Sequence, residues 1–394
     1  MYKGFLQQVE EILPDMVMFR RRLHRDPELA MNELNTSYYI KEALIQNGID
    51  ASFILENIGV TALIEGGKPG DTIALRADID ALPICEQTGL EYASKNDNVM
   101  HACGHDIHSA VLLGAALVLN SNKDKLCGNI RLIFQPAEEN LNGSAKTIEA
   151  GLLENPKVKY ITALHCWPDL DAGTIGLKKG PMMAASDGVS IKVNGKGGHA
   201  AHPNRAVDPV TMISIIITAL QTIVSREIAP LDSAVLTLGK ISGGTAPNII
   251  PSAVLCQGTC RTLTHAVRDS MPERIARIAE NVAIGLGGSC EVSYIKQCPP
   301  LINDDILVDM AEESIKAVIG NENVYFLPSP SMGSEDFAFY LEKIPGMLLR
   351  LGTGSDDPNT RRALHDPQII FEDEKSIWTG VIALVALSMH LLEK

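Results

Sequence analysis

Apolar residues recur with helical spacing from the start of the chain to about Leu23 and again over residues 35–46, until Gly48 stops the pattern. The pattern then shortens. Residues 71–77, 129–134 and 160–164 form short runs rich in aliphatic side chains, and a long apolar helix over 105–119 separates the first two. Strands that alternate with helices predict an α/β fold whose mainly parallel sheet is covered by helices. Ligands bind beyond the carboxyl ends of strands in such sheets, and Asp78, the stretch 135–139 and His165 are expected there.

From about 185 to 296 the order becomes strand (188–193), helix (208–226), strand (234–241), strand (253–261), helix (266–284), strand (290–295). This β-α-β-β-α-β order predicts a ferredoxin-like α+β domain. A helix over 306–318, a turn at 332–336, a strand over 347–351 and a helix over 376–392 follow. Candidate chemistry lies on both sides of the inserted segment. We therefore expect a discontinuous catalytic domain, residues 1–184 and 297–394, around a second domain of residues 185–296. The apolar stretch 376–392 is short for a membrane span and contains Trp378, Thr379 and His390, so a buried core helix is expected.

The 394 residues exceed what one core organises, and 45% hydrophobic with 21% charged residues suits a compact enzyme. With 34 basic and 48 acidic side chains the formal charge is −14, which makes nucleic acid and anionic membrane poor partners. The first residues lack a basic stretch leading into an apolar one, so a cytoplasmic location is expected. Eight irregularly spaced cysteines fit reduced thiols better than a disulfide framework.

Against this background one stretch is chemically dense: Met100-His101-Ala102-Cys103-Gly104-His105-Asp106-Ile107-His108. Cys103 and His105, two apart, cannot share a helix face, but a turn feeding a helix lets them converge, and Gly104 permits that turn. A thiolate there could bridge two ions. Gln135-Pro136-Ala137-Glu138-Glu139 places adjacent carboxylates after an apolar run, and in extended backbone they point to opposite sides. One can then ligate a metal while the other moves a proton. His165 and His365 complete a nitrogen, oxygen and sulfur donor set for two divalent ions, of which zinc, manganese, cobalt and nickel are all compatible. Asp78 or Asp80 is placed to hydrogen-bond a ligand histidine, and spacing does not decide between them. In the inserted segment, Gly195-Lys196-Gly197-Gly198-His199 and Gly243-Gly244-Thr245-Ala246-Pro247-Asn248 are glycine-rich turns that either close strands or admit a ligand.

With Arg21-Arg22-Leu23-His24-Arg25-Asp26-Pro27-Glu28-Leu29, Leu75-Arg76-Ala77-Asp78, the Cys103 and Glu138 motifs and the 332–337 turn in order, nearly the whole chain resembles the M20 metallopeptidase family. The likeness is to its amidohydrolase branch, which holds aminoacylase-like, hippurate hydrolase-like, auxin-conjugate hydrolase-like and N-acetyldiaminopimelate deacetylase-like enzymes. The resemblance implies a di-metal catalytic domain with an inserted lid. It implies Cys103, His105, Glu139, His165 and His365 as ligands, Cys103 bridging, Glu138 as general base and Asp78 as the orienting carboxylate. It further implies that His199 and Asn248 meet the substrate, across a dimer interface, and that Arg261 meets its carboxylate. Arg76 stands where many members place a ligand histidine.

The expected activity is hydrolysis of the amide of an N-acyl amino acid or a small conjugate. Glu138 would take a proton from water and pass it to the leaving amine, and His199 would stabilise the oxyanion. A dipeptidase or carboxypeptidase with the same site is the nearest alternative. A thiol amidase with Cys103 as nucleophile is a more distant one. The uniformly apolar helix near 210–224 predicts a homodimer or larger homo-oligomer built through the inserted domain.

Overall fold

The computed structural model describes residues 3–393, in two compact units. The first comprises Met1–Gly180, Ile302–Ser329 and Asp336–Lys394, and the second Pro181–Leu301 and Pro330–Glu335. Along the chain run α1 (Lys3–Arg25), α2 (Leu34–Gln46), β1 (Ala51–Leu55), β2 (Ile58–Glu65), β3 (Lys68–Asp78), α3 (His105–Ser121), β4 (Cys127–Gln135), α4 (Gly143–Glu149), β5 (Val158–Asp171) and β6 (Ile175–Leu177). Next come β7 (Gly180–Met183), β8 (Ala185–Asn194), β9 (Gly198–His199), α5 (Pro209–Thr222), β10 (Ala234–Gly243), β11 (Ile249–Ile250), β12 (Ala253–Thr262), α6 (His265–Gly285) and β13 (Ser289–Cys298). The chain ends with β14 (Leu301–Asn303), α7 (Asp305–Ile319), β15 (Val324–Phe326), α8 (Ala338–Leu341), β16 (Gly346–Gly354) and α9 (Asp373–Leu391).

The first unit is built on an eight-stranded sheet in the order β1-β2-β4-β3-β5-β16-β6-β15. Its centre, β4-β3-β5-β16, is parallel. These strands are covered on both faces, and so β16 is buried throughout and β3 from Thr72 to its end. The hairpin β1–β2 and its antiparallel pairing with β4 had no expected counterpart, because its turn is Glu56-Asn57 with Glu56 at φ 43 and no glycine or proline marks it. Helices α3 and α9 are apolar and buried nearly all round, as core helices must be. The stretch 376–392 is thus packed inside the protein. Among the described residues one helical segment, Pro209–Glu227, is long and apolar enough to cross a membrane by length and composition.

The second unit carries an antiparallel sheet ordered β10-β12-β8-β13 with α5 and α6 packed on it, the strand order of the ferredoxin-like motif. Its limits are wider than the expected 185–296. Cys298 still pairs with Ser186, and the Ala184 N–H donates to the carbonyls of Ser331 (3.1 Å) and Gly333 (2.9 Å). That pairing draws most of the expected 332–336 turn into this unit. Only Asp336 belongs to the first.

Candidate metal centre

Glycine decides the geometry at the first motif. Gly104 is the N-cap of α3 with φ 86, and a Cβ there would lie 2.8 Å from the Cys166 sulfur. The left-handed turn lets Cys103 and His105 face the same point, from before and within the helix. His105 Nδ1 donates to the Asp80 carbonyl at 2.9 Å, with Asp80 Oδ1 at 3.3 Å. A carbonyl can only accept, so Nδ1 carries a proton and Nε2 is the nitrogen left for a ligand. That Nε2 is buried and has no hydrogen-bond partner among the described residues. His165 is locked in the same tautomer, its Nδ1 donating to the Cys166 carbonyl at 2.8 Å while Nε2 lies 3.5 Å from the Cys103 sulfur.

The remaining donors come from elsewhere in the same unit. Glu139 Oε1 lies 3.9 Å from His105 Nε2 and 3.5 Å from His365 Nε2. His365 has φ 71, and its N–H donates to the Ala102 carbonyl at 3.0 Å, which ties the late loop to the Cys103 turn. Two triads result, Cys103-His105-His165 and Cys103-Glu139-His365, with donor atoms within 4.8 Å of one another in each. Cys103 is common to both, the position a bridging thiolate requires. Glu138 and Glu139 with His105 form a further group at the same spacing.

The charges fit a cation. Burial works against a proton on His105, but the carboxylates of Asp78, Asp80 and Glu139 outweigh it and push its imidazole up to about 10. Burial, reinforced by His108 and Arg350, holds His165 well below the usual imidazole range. Burial also opposes a charge on Glu139, yet His365 and His105 keep its carboxyl below the ordinary value. Buried carboxylates and a thiol facing an imidazole that ends in an unpartnered nitrogen form a donor set for divalent metal.

Comparison with known proteins agrees. The model of peptidase family M20/M25/M40 matches residues 74–390. The chain belongs to this family. An N-acetyl-L-cysteine deacetylase of Bacillus subtilis (strain 168) is 46% identical over 345 residues, covering 86% of this chain and 81% of that protein. An N-acetylcysteine deacetylase of the same organism is 42% identical over 360 residues, 91% of this chain and 92% of that one. The crystal structure of the Bacillus subtilis YXEP protein, described as a dinuclear metal binding peptidase from the M20 family, superposes with a TM-score of 0.86 at 35% identity. It covers 98% of this chain and 99% of its own. This M20 protein is a metal-dependent amidohydrolase with a site for two divalent ions.

Within this M20 chain the expected residues fall into three places. Cys103, His105, Glu138, Glu139, His165 and His365 gather as described. Asp78 lies beside them with different partners from those expected. Its Oδ1 accepts from His108 Nδ1 at 2.5 Å and its Oδ2 from Arg76 Nη1 at 2.7 Å. The carboxylate on the Nδ1 side of His105 is that of Asp80, because His105 opens α3 against the segment after β3. Asp80 Oδ2 also accepts the Glu139 N–H at 3.0 Å, so one aspartate sets both a histidine and a glutamate. His108 has both nitrogens engaged, since its Nε2 accepts the Cys166 N–H at 2.8 Å. That use of its nitrogens excludes it as a ligand and gives Cys166 a structural part. His165, expected at a strand end, lies inside β5, which runs on to Asp171 because Cys166 and Trp167 keep pairing with β16.

The second unit holds the rest. His199 and Asn248 line one open groove of about 820 Å³, with Gly197, Gly198, Gly244 and Thr245. His199 Nδ1 accepts the Ala201 N–H at 3.1 Å, so its proton is on Nε2. Arg261 is not in this groove. It lies at the other end of β12, beside Ser186 at the start of β8, about 26 Å from Ala253 at the groove by strand rise.

Sequence reasoning overlooked a fully buried set that braces the loop after β4. Arg76 donates to Asp78, to Asp336 Oδ1 (2.8 Å) and to Gln135 Oε1 (2.9 Å). Asp336 accepts from Gln135 Nε2 and the Ser144 N–H at 2.9 Å, and its own N–H donates to Glu138 Oε1 at 3.2 Å. Charge in a buried strand at Arg76 and Asp78 was the available signal.

Proposed function

We propose that the protein removes a short acyl group from an N-acylated amino acid, with Cys103, His105, Glu139, His165 and His365 holding two divalent ions and Glu138 acting as general base. The observation that carries this reading is the pair of donor triads sharing Cys103, with Glu138 beside them and its Oε1 accepting the Asp336 N–H. The names of the two deacetylases support a small acyl group and an amino-acid product. When bound, the ions supply Lewis-acid polarisation of a carbonyl and lower the pKa of water. Glu138 takes the proton and returns it to the leaving amine, and Asp336 and Arg76 hold it in place. The donor set suits zinc, manganese, cobalt or nickel. A hydrolysis screen of N-acetyl, N-benzoyl and long-acyl amino acids beside dipeptides, on protein reconstituted with each metal, tests the assignment. Preference for dipeptides would overturn it.

A cysteine nucleophile paired with His165, whose Nε2 lies 3.5 Å from its sulfur, is disfavoured by electrostatics, because burial, with His108 and Arg350, resists a positive charge on that imidazole. Cys103→Asp is therefore expected to keep both ions and measurable activity, since an anionic oxygen can replace a bridging sulfur but cannot form an acyl-thioester. Metal content and turnover check this. A trapped acyl-Cys103 adduct in the parent, with a dead but metal-loaded variant, decides for the thiol.

The second unit supports a dimer. On α5 the outward residues are Val210, Ile215, Gln221 and hydroxyl residues, several of which bond back to their own helix as Thr218 does to the Ser214 carbonyl, and no charge stands between Pro209 and Ser225. The edge strand β10 exposes Ile241. One amino-acid-sized substrate cannot touch Arg261 and His199 of the same chain, so we assign His199 and Asn248 to the centre of a second copy, where Nε2–H of His199 donates to the oxyanion. Mixing His199→Ala with Glu138→Gln subunits then restores about a quarter of parental activity, since half the two-fold dimers are mixed and each regains one intact site. No recovery would place His199 in its own chain's site. Among the described residues the eight cysteines form no disulfide, which fits a cytoplasmic location.

A further inference from the structure

One buried acid has no part in the chemistry above. Glu33 occupies the N-cap position of α2, but its side chain does not cap that helix. It turns inward, is fully buried, and accepts the Ala137 N–H on Oε1 at 2.8 Å. The peptide N–H groups of Glu33 itself and of Met31 also act on this carboxyl. An apolar residue would fill such a position at less cost unless the acceptor were needed.

Ala137 shows the need. It is a buried alanine with φ 57, a left-handed conformation that residues with a Cβ rarely adopt. Glu138 and Glu139 follow it directly and diverge. Glu138 Oε1 reaches the Asp336 N–H, while Glu139 reaches toward His105 and His365. The loop closes behind them, with the Leu141 N–H on the Glu138 carbonyl (2.7 Å) and the Gly143 N–H on the Ala137 carbonyl (3.2 Å). Asp80 fixes the Glu139 peptide from one side. The Ala137 N–H therefore needs an acceptor on the other, and Glu33 is that acceptor. Ser37 secures Glu33 in turn, its hydroxyl donating to the Glu33 carbonyl and accepting the Gly59 N–H of β2 at 2.8 Å.

We infer that Glu33 is a positioning residue: its carboxyl oxygen holds the Ala137 peptide in the left-handed turn and thereby aims Glu138 at the reacting water. This rests on the reading of Glu138 as general base. Burial, with Asp80 nearby, pushes the Glu33 carboxyl up to about 7, so the position tolerates a neutral acceptor and does not depend on a charge.

The test uses the full-length, metal-reconstituted protein with an N-acetyl amino acid. Glu33→Gln keeps the acceptor and is expected to hold kcat within about threefold of the parent, whereas Glu33→Met removes it and is expected to lower kcat at least about tenfold, on the scale of a misplacement below 1 Å. In Glu33→Met, KM changes little, two ions remain per chain, and amide exchange rises over residues 137–139. Should Glu33→Met fail to fold, Glu33→Asp, one methylene too short to reach the peptide, carries the same expectation. Parental kcat in the Met or Asp variant overturns the inference, and so does a Gln variant as damaged as the Met one. Glu138→Gln is measured alongside. If it is inactive while Glu33→Met is not, only the positioning role fails. If it is active, the general-base reading fails first.

Discussion

Exhaustive chelation of divalent ions abolishes amide hydrolysis by this protein, and adding them back restores it. The expectation follows from nitrogen, oxygen and sulfur donors gathered in two triads that share Cys103. His105 Nε2 is buried with no hydrogen-bond partner among the described residues, and the carboxylates of Asp78, Asp80 and Glu139 act on its ring. Loss of the ions removes the cations that these buried donors would hold, so the chelated protein also melts earlier. At a free metal concentration a thousandfold above its Kd each ion contributes about 4 kcal/mol to stability. Kinetics on protein whose metal content has been measured, with thermal melts at several metal concentrations, check both effects. Full activity in verified metal-free protein would remove the metal centre from the mechanism.

Glu138→Gln lowers kcat at least about a hundredfold, the scale expected when a general base is lost, and leaves two ions bound. The amide oxygen can still accept the Asp336 N–H, so the loop keeps its shape, but it cannot carry a proton at neutral pH. Measuring kcat beside metal stoichiometry separates this from a ligand's loss. A variant that releases metal would mean that Glu138 and Glu139 exchange roles, and near-parental turnover would take Glu138 out of the chemistry.

The gathering of the candidate donors was legible because metal chemistry restricts them to a few residue types and the turn at Gly104 is written in the sequence. The two-domain order was legible because helical and strand periodicities alternate differently in the two parts. The bracing was not. Glu33, Asp80 and Asp336 act through backbone N–H groups or a carbonyl contributed by distant segments, and a contact with a peptide leaves no trace in residue type. The choice between Asp78 and Asp80 turns on where α3 begins relative to the end of β3, a matter of a single residue's rise. The hairpin β1–β2 escaped because its turn lacks glycine and proline, and the length of β5 because its polar end, from His165 onward, is held by pairing with β16 rather than by its own composition.

The order in which these segments leave the ribosome adds a constraint that the finished molecule conceals. Strand β5 is complete at Asp171, yet its parallel neighbour β16 begins only at Gly346 and the core helix α9 later still. At about 5–20 residues per second that interval lasts about ten to thirty-five seconds, during which an apolar strand edge and the face that α9 will cover are exposed. The second unit can fold in that time from its own contiguous strands and helices. The first cannot close until α9 has been made, so chains that stop short of α9 present an open sheet to their neighbours and are the natural clients of chaperones and proteases.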